Sequence, residues 1–183
     1  MVNGLVALLA SGGSSNHSIH MVALVRAAGL VLTWDDLSDL SDVVPLLVRM
    51  YPSGPADVNA FQQAGTVPGL MRRLAELDLL NMDATPTFGT MADYLTAPQL
   101  IEGVLAWHPV GESTDPSVLS SSGQLFQASG GTKVLDGNLG RAVIKVSAVA
   151  PSIGWLRHRP GSSLPNMPWR PLIRRVNSMR MPS

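Results

Sequence analysis

Residues Val2 to Ala10 read VNGLVALLA, an apolar run interrupted only by Asn3. A helix with so little polar surface suits burial, so the rest of the chain has to pack around most of it. Directly after it, Ser11-Gly12-Gly13-Ser14-Ser15-Asn16 breaks the run with small and capping residues. The opening MVNGLVALLASGG has the apolar centre of a signal peptide but no basic residues ahead of it, which favours a buried helix.

From there the apolar spacing predicts a succession of short helices. One is expected from about His17 to Ala28, ended by Gly29, with Ile19, Val22, Ala23 and Ala27 on its buried face. Thr33 and Asp36 have capping-box spacing, so a short helix should start at Trp34. Ser41 and Asp42 should restart a helix through Val43, Val44, Leu47 and Val48, up to the break at Tyr51-Pro52-Ser53-Gly54. Pro55 suits the first turn of a helix ending near Gly65, and Thr66 to Pro68 open another with Leu70, Leu74 and Leu77 on one face. Between Asn81 and Ser129, Pro86, Pro98, Pro109 and Pro116 predict loops and short helices. The period then changes to two. Thr132 to Leu135, a turn at Asp136-Gly137-Asn138, and Arg141 to Val149 are expected to form a β-hairpin with Ala142, Ile144, Val146 and Ala148 on one face.

Composition narrows the class. With 183 residues, 45% hydrophobic and 14% charged, the chain can bury a core, and no apolar run reaches the roughly 20 residues a membrane helix needs. There is no cysteine, which excludes disulfides and any thiolate-held metal or cluster supplied by this chain. The net charge of zero conceals a division: residues 1–150 carry 13 acids and 7 bases, whereas 151–183 carry 6 arginines and no acid. That last stretch also holds 6 prolines and has neither helical nor strand period. It reads either as a disordered basic arm or as the product of a shifted coding frame after Ala150. In the shifted frame, GC-rich codons can spell strand-like sequence with ordinary acidic content. The frameshift is the expected explanation, in which case the arginines carry no function.

Several residue groups could bear chemistry, and each has a plainer reading. Gly12 to Asn16 ahead of a helix could offer N–H groups and hydroxyls to an anion; equally, the glycines allow close packing and Ser14 or Ser15 caps the helix. His17 and His20 stand three apart and could orient a phosphate, relay a proton or bind a metal, or be one packed and one exposed histidine. His108 and His158 lie far from that pair. Asp35, Asp36, Asp39 and Asp42 could be a divalent-metal cluster, but their spacing suits helix starts better. Lys133, Arg141 and Lys145 could attract a phosphate, or face solvent on a strand. Trp34, Tyr51 and Phe61 are expected in core or interface packing.

The blocks VNGLVALLASGGSSNHSIHMVALVRAAG, WDDLSDLSDVVPLLVRMYPSGPADVNAFQQAG and GGTKVLDGNLGRAVIKVSAV resemble the iron–sulfur dehydratase family of dihydroxy-acid and phosphogluconate dehydratases. The resemblance runs from about Val2 to Val149 and is closer to the phosphogluconate branch, because His17 and the WDDLSDLSDVVP wording are not shared with the dihydroxy-acid branch. Ser15 stands where the family usually has threonine. The resemblance implies an α/β fold: residues 1–129 as the helix-rich later part of the N-terminal α/β domain, 130–150 as the first strands of a β-barrel domain. It also implies dehydration of 6-phospho-D-gluconate to 2-dehydro-3-deoxy-6-phosphogluconate, a 4Fe-4S cluster whose iron acts on the departing hydroxyl, a cytoplasmic homodimer, and neither nucleic acid nor membrane as partner. Substrate-binding residues are expected among Ser14, Ser15, Asn16 and His17. The family's cluster cysteines would precede Met1 and its proposed serine base would follow the hairpin, so Met1 is expected to be an internal start and the chain alone inactive. The alternatives are a dehydratase for another sugar acid or dihydroxy acid, and a non-catalytic anion-binding module with a basic tail.

Overall fold

The computed structural model describes residues 1–149; the expected frameshifted tail lies outside the described residues. Helix α1, Val2–Ala10, is buried beyond its first turn, with Leu5, Val6, Leu8, Leu9 and Ala10 all in the core and Val2 exposed. It ends in a Schellman turn: Gly12, at φ +59°, donates to the Leu9 carbonyl and Gly13 to that of Leu8 at 2.9 Å. Helix α2, Ser15–Ala27, ends in the same way, with Gly29 at φ +76° bonded to Arg26 and Leu30 to Val25.

The buried face of α2 differs from the expected one. Ser18, Met21 and Val25 point inward, while Ile19 is 63% and Val22 37% exposed. Both stripes are apolar enough to satisfy the period, and contact decides between them. Gly4 leaves a notch on α1 that the Met21 side chain fills, so close that a Cβ at Gly4 would stand 3.3 Å from Met21 Cε.

Helix α3, Trp34–Val43, opens with the predicted capping box between Thr33 and Asp36. The helix expected to restart at Ser41 does not form. Pro45 disfavours helical backbone at Val44 and cannot donate, so Val44 to Met50 runs extended through the core. This segment is held from two sides. Leu47 N–H donates to the Ala10 carbonyl at 2.8 Å, while Leu46 and Val48 form antiparallel bridges with Gln127 and Leu119. Buried Arg73 fixes the chain just after Leu119, its Nε donating to the Ser120 carbonyl at 3.0 Å.

Helix α4 is Val58–Ala64 rather than starting at Pro55, because Asp57 caps it by accepting from Ala60 N–H at 2.8 Å. Helix α5, Thr66–Glu76, buries Leu70 and Leu74 with Leu77 packed beside them, as the spacing predicts. The Pro-rich region holds strands as well as turns. After a 3₁₀ helix at Met91–Leu95, β1 (Thr96–Ile101) pairs antiparallel with β2 (Val104–Pro109) around a Glu102-Gly103 turn. Both turn residues have positive φ, as a two-residue hairpin loop requires, and Pro98 is tolerated because neither strand has a second neighbour.

The predicted second hairpin is present: β3 (Lys133–Gly137) and β4 (Gly140–Ile144). Its loop is Asn138-Leu139, one position later than expected. The strand also stops at Ile144 instead of continuing to Val149. A 3₁₀ helix at Val146–Ala148 follows, because Ser147 turns back to donate its N–H to the Gly131 carbonyl at 3.1 Å. Val146 and Ala148 therefore do not extend the face of Ala142 and Ile144. The described residues form a mixed α/β arrangement of five α-helices followed by two small antiparallel hairpins, with a short 3₁₀ helix before the first and after the second. No helix among them is long and apolar enough to cross a membrane.

Candidate functional site

Ser14 to His17 form the first turn of α2 and all four are exposed. Ser14 is the N-cap, its Oγ accepting from His17 N–H at 3.3 Å. Because first-turn N–H groups have no partner within their own helix, those of Ser15 and Asn16 are directed out of this end. The helix dipole adds partial positive charge at the same point.

The two glycines before the turn are accounted for by packing. A Cβ on Gly12 would stand 2.9 Å from Ser53 Oγ and 3.0 Å from Leu46 Cδ1, and one on Gly131 would stand 3.0 Å from Gly12 Cα. A Cβ on Gly13 would collide with Leu8 Cδ1. The glycines thus let the end of α1 touch the chain entering β3, and Ser14 does the capping.

That contact brings distant residues together. A cleft of about 280 Å³ lies between the starts of α2 and α3 and the β3–β4 hairpin, lined by Ser15, Ser18, Ile19, Trp34, Val134, Arg141, Ala142 and Val143. Arg141 crosses its rim, with Nη2 2.6 Å from Asp35 Oδ1 and Nε 2.6 Å from Asp136 Oδ1. The Asp35 hydrogen bond, and after it that of Asp136, holds the guanidinium even more firmly protonated than usual. Two carboxylates around one cation leave the trio with a net charge of −1, so an incoming anion has to displace one of them or use the helix end instead.

The remaining predicted groups are dispersed. His17 and His20 are both exposed, so the expectation of one packed histidine is not met. The four aspartates lie on one helix rather than at successive starts. Asp36 caps, Asp35 pairs with Arg141, and Asp42 sits in the last turn, against the dipole, where Lys133 neutralises it. Lys145 is half-buried and removal from water lowers its pKa. Trp34 is 40% exposed at the cleft and Tyr51 is 83% exposed, while Phe61 is in the core. Among the described residues no group of three or more His, Cys, Asp or Glu could hold a metal ion.

Residues 1–94 match the family described as dihydroxy-acid/6-phosphogluconate dehydratase N-terminal, and the chain belongs to that family. Within it, the chain is 55% identical over 151 residues to phosphogluconate dehydratase of Escherichia coli, which is 81% of this chain and 25% of that protein. To the Zymomonas mobilis phosphogluconate dehydratase it is 45% identical over 162 residues, 87% of this chain and 26% of that protein. The chloroplastic dihydroxy-acid dehydratase of Arabidopsis thaliana is 40% identical over 103 residues, 55% of this chain and 17% of that protein. The chain spans about a quarter of the length of the phosphogluconate dehydratases it matches.

Proposed function

We propose that this chain forms part of a 6-phosphogluconate dehydratase, an enzyme converting 6-phospho-D-gluconate to 2-dehydro-3-deoxy-6-phosphogluconate and water. The observation that carries the reading is the 55% identity to the Escherichia coli phosphogluconate dehydratase over 81% of the chain. The lower and shorter match to the dihydroxy-acid branch favours the sugar-acid substrate.

A family member of full length would use a 4Fe-4S cluster, and the residues present here do not fit one. The chain has no cysteine, and the described residues gather no alternative set of ligands. No chemical step is therefore assigned to them, and the chain alone should not turn over substrate. Their part is binding. Ser15 and the free N–H groups at the start of α2, flanked by Asn16 and His17, receive an anionic group of the substrate, with Ser14 holding the turn in shape. The whole protein is read as a cytoplasmic homodimer. In it, residues 1–129 close the N-terminal α/β domain and the hairpin after Gly130 opens a β-barrel domain.

Titration of the ¹⁵N-labelled chain with 6-phosphogluconate tests the binding role. Saturable amide shifts at Ser15, Asn16 and His17, larger than gluconate produces, are expected. Equal shifts with sodium chloride at the same ionic strength would remove it.

A further inference from the structure

Lys145 is a cation without a counter-charge. The described residues hold seven lysines and arginines. Arg72, Arg73, Lys133 and Arg141 each pair with a carboxylate, and Arg26 and Arg49 are exposed to water. Lys145 alone among the seven is half-buried with no acid beside it. Burial acts on its pKa downward, and no carboxylate acts on it in the opposite sense. The rest of the chain has none to offer, since residues 151–183 contain neither Asp nor Glu. Taking an ammonium out of water is unfavourable unless an opposite charge offsets it, so this side chain is poised for an anion from outside the chain.

Its place in the fold is the end of the cleft. On β4, Arg141 and Val143 line that cleft, and Lys145 is next at the two-residue period of a strand. Two residues further on, Ser147 meets the turn that leads into α2, its Oγ 3.3 Å from where a Cβ on Gly12 would stand. Lys145 is thus bracketed by a residue of the cleft wall and by the contact that brings up Ser14 and Ser15. Arg141 is engaged already, by Asp35 and Asp136. We propose that Lys145 is the cationic residue of this site, its ammonium binding an oxyanion of the ligand, phosphate or carboxylate, beside the start of α2. The proposal rests on the binding role given to α2 above and adds the full positive charge that its exposed N–H groups lack. A compact ammonium on a flexible stem suits such a group, which needs a point charge more than a fixed planar fork.

The 183-residue chain has only two lysines, Lys133 and Lys145, which makes the test direct. Reductive methylation with ¹³C-formaldehyde labels both side chains and the N-terminal amine without removing their charge. Lys133, paired with Asp42, is the internal control. At constant ionic strength, 6-phosphogluconate should move the Lys145 signal saturably, over the same concentrations that move the amides of Ser15 to His17, and leave Lys133 still. Titrations with inorganic phosphate and with gluconate then show which oxyanion Lys145 takes. Lys145→Met should weaken 6-phosphogluconate binding about 10–100-fold, the loss of one charge-assisted hydrogen bond, and Lys145→Arg should restore most of it. Because methionine removes an uncompensated charge, the urea midpoint of that variant should be unchanged or higher, which separates lost binding from lost folding. No saturable response to 6-phosphogluconate at α2 or at Lys145 would overturn the binding role and this proposal together. Amide shifts at α2 that persist in Lys145→Met, with a Lys145 signal that stays still, would overturn this proposal alone. So would equal movement of Lys133 and Lys145, the mark of general screening.

Discussion

Substituting Gly13 by alanine separates packing from ligand binding at the Gly12-Gly13-Ser14-Ser15 turn. The backbone at Gly13 needs no positive φ, so alanine pays no conformational penalty there and the effect comes from space alone. The added Cβ would collide with Leu8 Cδ1 and stand 3.2 Å from the Leu8 carbonyl oxygen. Leu8 is 2% exposed and surrounded by core, so it cannot swing into solvent. Overpacking of this kind costs about 1–3 kcal/mol, offset by about 0.4–1 kcal/mol because alanine restricts the unfolded chain. The net loss should be on the order of 1–2 kcal/mol, or roughly 2–8 °C in Tm for a chain of this size. Urea unfolding followed by circular dichroism measures it, and a double-mutant cycle identifies its origin. Leu8→Ala alone should cost about 2–5 kcal/mol, yet in that background Gly13→Ala should cost much less, because the colliding methyl is gone and only the 3.2 Å approach to the Leu8 carbonyl remains. A coupling of about 1–2 kcal/mol is expected. An equal cost for Gly13→Ala in both backgrounds, or none in either, would refute the packing argument.

Two further outcomes follow from the same structure. Asp36, Asp93, Glu112 and Asp115 all titrate below their ordinary values, chiefly because Thr33, Thr90, Ser122 and Ser117 respectively donate hydrogen bonds to the carboxylates. A carboxylate whose pKa is lower in the folded state stabilises the fold above its unfolded pKa and loses that contribution as pH falls through the folded value. The urea midpoint should therefore hold steady above about pH 5 and drop below about pH 4, less steeply in a Thr33→Ala/Thr90→Ala variant; a midpoint that rises on acidification would contradict this. Ser41 is buried and donates its hydroxyl to the Thr132 carbonyl, so Ser41→Ala should cost about 1–3 kcal/mol in urea unfolding by leaving that carbonyl unpaired.

What could be read from the sequence was local. The Gly29 helix end, the Thr33–Asp36 box and the Leu70–Leu74 stripe each depend on residues within a turn or two, and each is found where the spacing puts it. The failures depend on partners far along the chain. Nothing near Ile19 reveals that Gly4 will accept Met21 and so rotate α2. Pro45 was the available signal against a second helix after Ser41, but the segment's bonds to Ala10, Leu119 and Gln127 are what make it an interior strand-like element. The β1–β2 hairpin was hidden by Pro98 and Pro109, which a two-stranded ribbon tolerates and a larger sheet would not. The cleft is the most distant case. Ser15 and Arg141 were each legible as possible anion contacts, but their meeting depends on Gly12 touching Gly131.

The extended segment Val44–Met50 also sets an order of events during synthesis. It takes the Ala10 carbonyl on one side and Leu119 and Gln127 on the other, and Gly130 and Gly131 close over Ser41 and Leu9. So α1, the most apolar element, has no complete partner set until about 120 residues after it is made. At ~5–20 residues per second its leucines wait on the order of 10 s without cover. Helices α2 and α3 can shield it only in part during that interval. A ribosome paused before residue 118 would hold out a nascent chain in which α1 and the 44–50 stretch still lack the far side of their core.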